Sequence, residues 1–321
     1  MKVLVVGLGS IGLRHARNLR TLGVNALTGF DPNDERRSTF MAETGGTAFD
    51  DLSSAIADHP DLAIIASPNR FHIDQALSVA RGGIHLMIEK PLGSTREGLS
   101  ELCATVATRS LFCHIGSNWK FYPAFAAMKD ILDKGEIGPV AGVQVLAGHW
   151  LPDWHPKRDY RMEYSARRDL GGGVVFDTHE LDYMAWLFGA ITATAGWVRH
   201  TGFLETSTED VAAIALRFES GVVGTLQTDY IQRAPRRHYN ICGRDGTLEW
   251  SAGEPLRRYH VDGREWSEVP ETLETDYNAM YLKQMAHVLV GARDGATPVT
   301  GLDHATKIID AQLALLKGAP Q

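Results

Sequence analysis

The chain has 321 residues, a length that favours two domains because single domains usually hold about 100–200 residues. Its content of 44% hydrophobic and 22% charged residues is typical of a globular protein and excludes a disordered or fibrous one. The formal net charge of −7 supplies no general field that would attract nucleic acid or an anionic membrane. The charge therefore favours a small-molecule partner.

The three cysteines are widely spaced and form no C-x-x-C pair, which argues against a disulfide framework and a zinc site. We therefore expect no metal, and a reducing compartment, the cytoplasm. The apolar run at residues 1–6 ends at Gly7 and lacks the length and cleavage site of a signal peptide. No apolar stretch approaches the roughly 20 residues that cross a bilayer, so no membrane span is expected.

The first part of the chain alternates short apolar runs with helical patterns. Strands are predicted at residues 2–6, 25–30, 62–66, 85–88 and 111–115. Helices are predicted between them at residues 11–22, 33–44, 72–82 and 95–108. This alternation predicts a doubly wound α/β domain with a parallel sheet over residues 1–118.

The pattern changes after a predicted helix at residues 122–134. Strands are predicted at residues 140–150, 192–200, 211–218, 222–230 and 237–242, and neighbouring strands of this kind favour an antiparallel or mixed sheet. Helices near residue 174, at 277–289 and at 303–317 are expected to cover one face of it. We predict an α+β substrate-binding and oligomerisation domain over residues 119–321, whose last helix packs back on the first domain.

A glycine-rich turn follows the first strand and opens the first helix. The sequence G-L-G-S-I-G at residues 7–12 matches the dinucleotide fingerprint in the context that the fingerprint requires. Gly7 permits a tight turn, Gly9 lets the backbone approach a pyrophosphate, and Gly12 lets helix and strand pack closely. Ser10 and Ile11 offer N–H groups at the helix N-terminus. The turn predicts a dinucleotide site.

Asp31 ends the second predicted strand, where the fingerprint places an acid that binds the ribose hydroxyls of the cofactor. A carboxylate there repels the 2′-phosphate of NADP, so the sequence favours NAD over NADP. An aspartate before Pro32 can also cap a helix, and both roles can coexist. Arg36 and Arg37 lie near enough to soften the preference.

Several further segments carry a family resemblance, and they occur in chain order. They are A-S-P-N at residues 66–69 with His72, E-K-P at 89–91, N-W-K-F-Y-P at 118–123, G-G-G at 171–173 and H-E-L-D at 179–182. Together with the glycine fingerprint they resemble the Gfo/Idh/MocA family of NAD(P)-dependent oxidoreductases. The resemblance implies an N-terminal Rossmann domain, a C-terminal domain with an open sheet, and oxidation of a secondary hydroxyl on a sugar-like substrate.

The resemblance also implies roles for particular residues. Lys90 hydrogen-bonds the reacting hydroxyl, His179 exchanges its proton, and Asp182 helps to position the substrate. A cation that stabilises an alkoxide and a base that titrates near neutrality both suit this chemistry. Further cofactor contacts are implied for Ser67, Pro68, Asn69, His72, Glu89, Lys90 and Lys120.

Two residues depart from the family pattern. An aspartate usually stands four residues before the histidine, on the same helical face, whereas Asp177 stands only two before His179. Its role as a substrate-binding residue is therefore open. Lys120 replaces an arginine, which keeps the charge and loses the bidentate fork.

The segment H-W-L-P-D-W-H-P-K-R-D-Y-R at residues 149–161 is dense in aromatic and basic groups and predicts a binding loop. Aromatic faces pack on sugar rings, and guanidinium groups pair with carboxylate or phosphate. The same residues could instead anchor the loop or an oligomer interface. The candidate substrate contacts are Lys90, Trp154, Tyr160, Arg161, Arg168, Asp177, His179 and Asp182.

Three functions are compatible with these motifs. The first is a dehydrogenase acting on a sugar, sugar acid, cyclitol or nucleotide sugar, in a homodimer or homotetramer. The second is a glycosidase or epimerase that oxidises its substrate transiently with retained NAD. The third is a non-catalytic regulator that binds a dinucleotide, which the E-K-P segment and His179 disfavour.

Overall fold

The computed structural model describes residues 1–318, and they form two compact units. The first unit holds Met1–Asn118 together with Asn278–Thr306, and the second holds Trp119–Tyr277 together with residues 307–318. The sequence predicts a continuous second domain over residues 119–321. In the structure, the segment 278–306 joins the first unit instead.

The first unit is built on a six-stranded parallel sheet with the strand order β3-β2-β1-β4-β5-β6. The strands are β1 (Lys2–Val6), β2 (Ala26–Phe30), β3 (Thr47–Phe49), β4 (Leu62–Ile65), β5 (His85–Glu89) and β6 (Cys113–Gly116). This is the order of a Rossmann fold, so the predicted doubly wound α/β class is confirmed. The short strand β3 was not predicted.

Helices connect successive strands of this sheet. They are α1 (Ser10–Thr21), α2 (Asp34–Thr44), α3 (Leu52–Ala57), α4 (His72–Arg81) and α5 (Leu99–Thr108). Asn33 is the N-cap of α2, and its side chain accepts a hydrogen bond from the N–H of Arg36. Asp51 is the N-cap of α3, and its side chain accepts a hydrogen bond from the N–H of Ser54. Local capping therefore fixes where the chain leaves each strand and turns into a helix.

The second unit contains an eight-stranded sheet with the order β14-β13-β12-β11-β7-β10-β9-β8. The strands are β7 (Val140–Gly148), β8 (Ile191–Arg199), β9 (Val211–Phe218), β10 (Val223–Asp229), β11 (Arg236–Gly243), β12 (Gly246–Ser251), β13 (Arg257–His260) and β14 (Glu265–Glu268). Among the strands of this sheet within residues 1–318, only β7 and β10 pair in parallel. The prediction of a largely antiparallel open sheet is confirmed, whereas β12, β13 and β14 were not predicted.

Helices α6 (Pro123–Asp133), α7 (Val174–Asp177) and α8 (Glu180–Phe188) belong to the second unit. The single helix predicted to begin near residue 174 is interrupted, because Thr178 has an extended backbone between α7 and α8. An aromatic cluster fills the core, in which Phe125 contacts the rings of Tyr183, Tyr239 and Trp250. These contacts anchor the start of α8.

The last helices are α9 (Asn278–Asp294) and α10 (Leu302–Gly318). The sequence predicts that the helix at 277–289 covers the second sheet, and this is wrong. Met285, Val288 and Ala292 of α9 are buried in the core of the first unit with the residues of β1. Gly291 makes this packing possible, because a Cβ there would lie 2.1 Å from the ring of Phe112. Apolar spacing predicted the helix and could not tell which unit it joins.

Within residues 1–318, no helix is both long enough and apolar enough to span a membrane.

Candidate active site

The glycine-rich turn in the first unit is held by close backbone contacts. Gly7 has φ +91°, and its N–H donates to the carbonyl oxygen of Phe30 at 2.8 Å. A Cβ on Gly12 would lie 1.9 Å from the carbonyl oxygen of Gly7. Gly9 differs from both, since a Cβ on it would meet no atom within 4 Å. Gly7 and Gly12 are therefore required by the fold itself, and Gly9 borders open space.

Asp31 follows β2 and is only 2% exposed. Its carboxylate accepts hydrogen bonds from the N–H of Leu8 and the N–H of Asn33, each at 2.9 Å. Arg36 lies 3.5 Å from the same carboxylate and is largely exposed. These contacts fix the Asp31 side chain against the glycine turn.

The predicted Ser67 loop lies against the same turn. It follows β4, and a Cβ on Gly7 would lie 2.7 Å from the backbone nitrogen of Ser67. The Ser67 hydroxyl donates to Gln75 Oε1 at 2.6 Å, and Pro68 precedes a 3-10 turn that begins at the buried Asn69. The loops after β1 and β4 are thus in direct contact.

His72 connects the loops that follow β4 and β5. Its Nε2 lies 2.7 Å from the carbonyl oxygen of Ser67, and its Nδ1 lies 2.8 Å from the carbonyl oxygen of Pro91. Burial lowers the pKa of His72, although both carbonyl groups and Glu89 oppose this shift. The ring therefore ties the Ser67 loop to the segment that carries Lys90.

Glu89 anchors the backbone beside Lys90. Its Oε1 lies 2.6 Å from Nε2 of the fully buried His15 on α1, and its Oε2 accepts the N–H of Lys90 at 3.2 Å. A Cβ on Gly116 would lie 2.8 Å from the same carboxylate, so the end of β6 leaves room for it. The glutamate links the glycine-turn helix to the backbone of Lys90.

The first unit fits a bound dinucleotide. Helix α1 begins at Ser10, followed by Ile11, and its N-cap Gly9 makes no side-chain capping bond. Uncapped N–H groups and the positive end of the helix dipole suit a pyrophosphate. The open space at Gly9 lets a ligand approach, and the buried Asp31 carboxylate suits ribose hydroxyls.

Residues of the second unit form a polar group around α8. The buried Lys120 donates from Nζ to Asp182 Oδ1 at 2.9 Å, and its ammonium lies 5.6 Å from the centre of the Trp186 ring. Burial lowers the pKa of Lys120, and the nearby Asp182 opposes this shift. Lys120 was predicted to contact the cofactor; the structure shows it in an ion pair with Asp182.

His179 stands immediately before α8, one helical turn from Tyr183. Its Nδ1 lies 2.9 Å from the Tyr183 hydroxyl oxygen, and the rings are stacked with centroids 5.7 Å apart. The Tyr183 oxygen also accepts the N–H of Trp119 at 3.3 Å. Sequence reasoning overlooked Tyr183, although its spacing of four residues from His179 is the spacing of helical neighbours.

Asp177 is buried in a network of hydroxyl groups. Its carboxylate accepts hydrogen bonds from Tyr164 and Ser165 at 2.6 Å each and from Tyr230 at 3.0 Å. Because the chain is extended at Thr178, Asp177 and His179 do not share a helical face. These contacts tie the loop before the glycine run to Tyr230, the residue that follows β10.

The loop at residues 149–170 is held by contacts within itself and with Tyr230 and the segment 205–209. Trp154 is stacked on His149 and meets Tyr230 edge-on, and the Tyr160 oxygen accepts the N–H of Glu205. The predicted arginines pair with acids: Arg161 with Asp159 and Glu205, and Arg168 with Glu209. The structure thus shows neighbouring acids beside the basic groups of this loop.

Residues 1–318 contain no group of three or more His, Cys, Asp or Glu side chains arranged to hold a metal ion.

The fold and the dinucleotide cradle define an NAD-binding Rossmann oxidoreductase. The model of the oxidoreductase family with an NAD-binding Rossmann fold matches residues 1–117, and the Gfo/Idh/MocA C-terminal domain matches residues 125–249. The two matches together span most of the chain. The chain belongs to the Gfo/Idh/MocA family, as the motifs predict.

Curated relatives agree with this family. The chain is 27% identical over 319 residues to scyllo-inositol 2-dehydrogenase (NAD(+)) of Bacillus subtilis (strain 168), covering 93% of this chain and 88% of the relative. It is 27% identical over 237 residues to 1,5-anhydro-D-fructose reductase of Ensifer adhaerens, covering 72% of this chain and 69% of the relative. These relatives favour a dehydrogenase over a transiently oxidising glycosidase or a non-catalytic regulator.

Solved structures share the fold. Levoglucosan dehydrogenase in complex with NADH and levoglucosan superposes with a TM-score of 0.89 at 18% identity, over 99% of this chain and 97% of that chain. A UDP-N-acetylglucosamine 3-dehydrogenase from Acidithiobacillus ferrooxidans gives a TM-score of 0.83 at 20% identity, over 99% of this chain and 97% of that chain.

Gly9→Ala is expected to weaken NAD binding without unfolding the protein. An added Cβ meets no atom of residues 1–318 within 4 Å, yet it stands where the backbone must approach a pyrophosphate. We expect a dissociation constant for NAD raised at least about tenfold, measured by calorimetry. The melting temperature should fall by no more than about 2 °C.

Gly12→Ala is the matched control, because its Cβ would collide with the Gly7 carbonyl inside the fold. This variant should lose roughly 1–3 kcal/mol of unfolding free energy. Wild-type NAD affinity in Gly9→Ala would show that the dinucleotide does not bind at this turn.

Proposed function

We propose that this enzyme transfers hydride between NAD and a secondary hydroxyl of a sugar, sugar acid, cyclitol or nucleotide sugar. The observation that carries the proposal is the cradle of the first unit, where Gly9 borders open space beside the buried Asp31. The substrate class is supported by the relatives, which are named for a cyclitol and an anhydrosugar.

Lys90 is the proposed stabiliser of negative charge on the reacting oxygen. NAD supplies the hydride acceptor, or the donor in its reduced form. As hydride leaves the carbinol carbon, the hydroxyl oxygen gains negative charge, which an ammonium group stabilises. The Glu89 contact to the Lys90 N–H and the His72 contact to Pro91 support this role, since they fix the backbone on both sides of the lysine.

His179 is the proposed group that exchanges the hydroxyl proton, and Asp182 is proposed to position the substrate. A histidine suits proton exchange because its ordinary pKa lies near neutrality. The ion pair with Lys120 supports the role of Asp182, because it holds the carboxylate in one orientation.

The loop at residues 149–170 is the proposed substrate loop. Trp154 and Tyr160 offer aromatic faces, and both are only partly exposed. Arg161 and Arg168 already pair with acids, so they would bind an anionic substrate by exchanging those partners. Asp177 is proposed to act by holding this loop rather than by meeting the substrate, because hydroxyl groups surround its carboxylate.

A substrate panel tests the proposed function. Sugars, sugar acids, cyclitols and nucleotide sugars are incubated with the enzyme and NAD⁺ or NADP⁺, and nicotinamide absorbance is followed. We expect net reduction of NAD⁺ with members of the panel and tighter binding of NAD than NADP. Tighter binding of NADP would contradict the role of Asp31, and turnover without net absorbance change would favour transient oxidation.

Lys90→Ala is expected to lower the rate of hydride transfer by about 10²–10³, because one preorganised charge-stabilising donor is lost. NAD affinity should stay within a few-fold of wild type. Lys90→Arg should not restore the rate, because a planar guanidinium cannot place its donors at the same point. Single-turnover kinetics paired with NAD titration check this; near-normal hydride transfer in the alanine variant would remove Lys90 from the mechanism.

We also propose that the second unit pairs through its sheet with another copy of the chain. Trp197, Ala213, Gln227 and Leu146 are opposite one another on β8, β9, β10 and β7, so they share one face. Trp197 is 71% exposed and Leu146 is 41% exposed. Trp197, Ala213 and Leu146 make this row largely apolar, and exposed apolar side chains on a sheet favour burial against a second copy.

Trp197→Glu is expected to convert the oligomer to a monomer at micromolar concentration, because a buried unpaired carboxylate is costly. Light scattering measures the change. Val261→Glu is the control, since Val261 is also exposed, at 49%, but lies in the turn between β13 and β14. A monomeric wild-type protein would exclude this interface.

The cytoplasm is the proposed compartment, which the free thiols of Cys103, Cys113 and Cys242 support.

A further inference from the structure

Helix α1 carries a fully buried histidine that contacts the end of β5. His15 lies in the second turn of the helix, and its Nε2 lies 2.6 Å from Oε1 of Glu89. The ring of Tyr281 on α9 packs against it edge-on, with the ring centroids 6.1 Å apart. Both contacts lie within the first unit, and together they hold the histidine ring in one orientation.

The histidine donates the hydrogen bond that joins it to the glutamate. A carboxylate only accepts hydrogen bonds, so His15 Nε2 carries the hydrogen between the two atoms. Within residues 1–318, the other ring nitrogen, Nδ1, has no hydrogen-bond partner. Among these residues, the hydrogen bonding of the ring is thus directed at Glu89.

The second oxygen of the same carboxylate reaches the backbone of Lys90. Glu89 Oε2 accepts the Lys90 N–H at 3.2 Å, while Oε1 faces His15. The Glu89 side chain is only 14% exposed, so water competes little for either contact. One carboxylate therefore joins helix α1 to the backbone of the lysine.

Gly116 leaves the space that the carboxylate occupies. A Cβ on Gly116, at the end of β6, would lie 2.8 Å from Glu89 Oε2 and 3.0 Å from Oε1. Its three nearest neighbours are all atoms of the Glu89 side chain, and none belongs to backbone. A methyl group there would displace the carboxylate and leave the strand in place.

A buried ionisable pair of this kind adds little to the stability of the fold. Its replacement by apolar side chains of similar volume is often neutral or stabilising. The neighbouring buried positions of α1 include the apolar Ala16 and Leu19, so packing alone would be served by an apolar residue at position 15. The placement of the pair beside Lys90 indicates another purpose.

We propose that His15 is a positioning residue for Lys90, whose backbone it holds through the carboxylate of Glu89. This role rests on the proposed function, in which the Lys90 ammonium stabilises negative charge on the reacting oxygen. Such stabilisation requires a donor that is in place before the reaction, and a displacement of about 1 Å can cost on the order of 10² in rate. Because α1 also begins the dinucleotide cradle, His15 ties the lysine to the element that meets the cofactor.

Two substitutions of His15 that differ in reach test the donor. The amide nitrogen of His15→Gln can donate from near the position of Nε2, whereas that of His15→Asn stands near the position of Nδ1. In His15→Asn we expect the single-turnover rate of hydride transfer to fall about 10- to 100-fold, with kcat lowered and the substrate KM little changed. NAD affinity should stay within a few-fold of wild type, and His15→Gln should restore most of the rate.

Amide exchange of Lys90 measures the anchor without any turnover. The Lys90 N–H is identified by NMR of the full-length protein labelled with ¹⁵N-lysine, through its loss in Lys90→Ala. Exchange with water should be about two- to fivefold faster in His15→Asn, because the freed carboxylate protects the N–H less, and near wild type in His15→Gln. Gly116→Ala should speed the exchange and slow hydride transfer in the same way, because its methyl group displaces the carboxylate.

Asn18→Leu is the matched control on the same helix. Asn18 lies about one turn after His15, is 3% exposed and exchanges two hydrogen bonds with Asn278 on α9. This variant also loses buried polar contacts of α1, so its melting temperature should fall, but hydride transfer and Lys90 exchange should be unchanged. Equal effects in Asn18→Leu and His15→Asn would show a general loosening of α1 and overturn the proposal.

The remaining outcomes are equally decisive. Unchanged Lys90 exchange in His15→Asn would overturn the proposal, as would equal losses in the asparagine and glutamine variants or a loss confined to NAD affinity. If Lys90→Ala keeps a normal rate of hydride transfer while His15→Asn speeds Lys90 exchange, the catalytic role of Lys90 fails and the hold of His15 on its backbone stands. The two proposals are thus tested separately.

Discussion

The cofactor site depends on the close packing of the glycine-rich turn at residues 7–12 against the backbone of the Ser67 loop. There is no room for a side chain at Gly7 or Gly12, because a Cβ on either would enter backbone of the Ser67 loop or of the turn itself. That proximity brings the Leu8 N–H within 2.9 Å of the Asp31 carboxylate. The turn, the ribose-binding position and the Ser67 loop therefore form one rigid arrangement.

A chain of contacts extends this arrangement to Lys90. His72 joins the Ser67 carbonyl to the Pro91 carbonyl, and Glu89 joins His15 on α1 to the Lys90 N–H. Two paths thus connect the dinucleotide turn to the lysine backbone. Preorganisation of this kind is what charge stabilisation requires, because a donor that must reorient during the reaction contributes less.

The sequence predicted the fold where local patterns were strong. The alternation of strands and helices before residue 118 was sufficient for the parallel sheet. Strands β13 and β14 escaped prediction because their residues are only partly buried or exposed and lack a clear apolar alternation. The helix α9 was predicted, but its partner was not, since an amphipathic stripe does not identify the core that buries it.

Sequence motifs were enough to identify several site residues, but they did not reveal which residues those side chains contact. Lys90, His179 and Asp182 follow from family segments, whereas the partners of Asp177 come from residues as distant as Tyr230. The arginines of the 149–170 loop read as free binding groups in the sequence, and the structure pairs Arg161 and Arg168 with acids. Such pairing depends on loop geometry that no local spacing encodes. Tyr183 is different, because the sequence analysis did not single it out although its helical spacing from His179 could have done so.

The proposed reaction moves hydride between a carbinol carbon of the substrate and NAD. The most direct measurement follows the isotope in a single turnover, using a substrate with deuterium on the carbinol carbon and NAD⁺ stoichiometric with the enzyme. We expect deuterium on C4 of the nicotinamide and a slower transfer than with the hydrogen-bearing substrate. Conversion of the substrate with deuterium retained on carbon or lost to water, and none on the nicotinamide, would contradict the account.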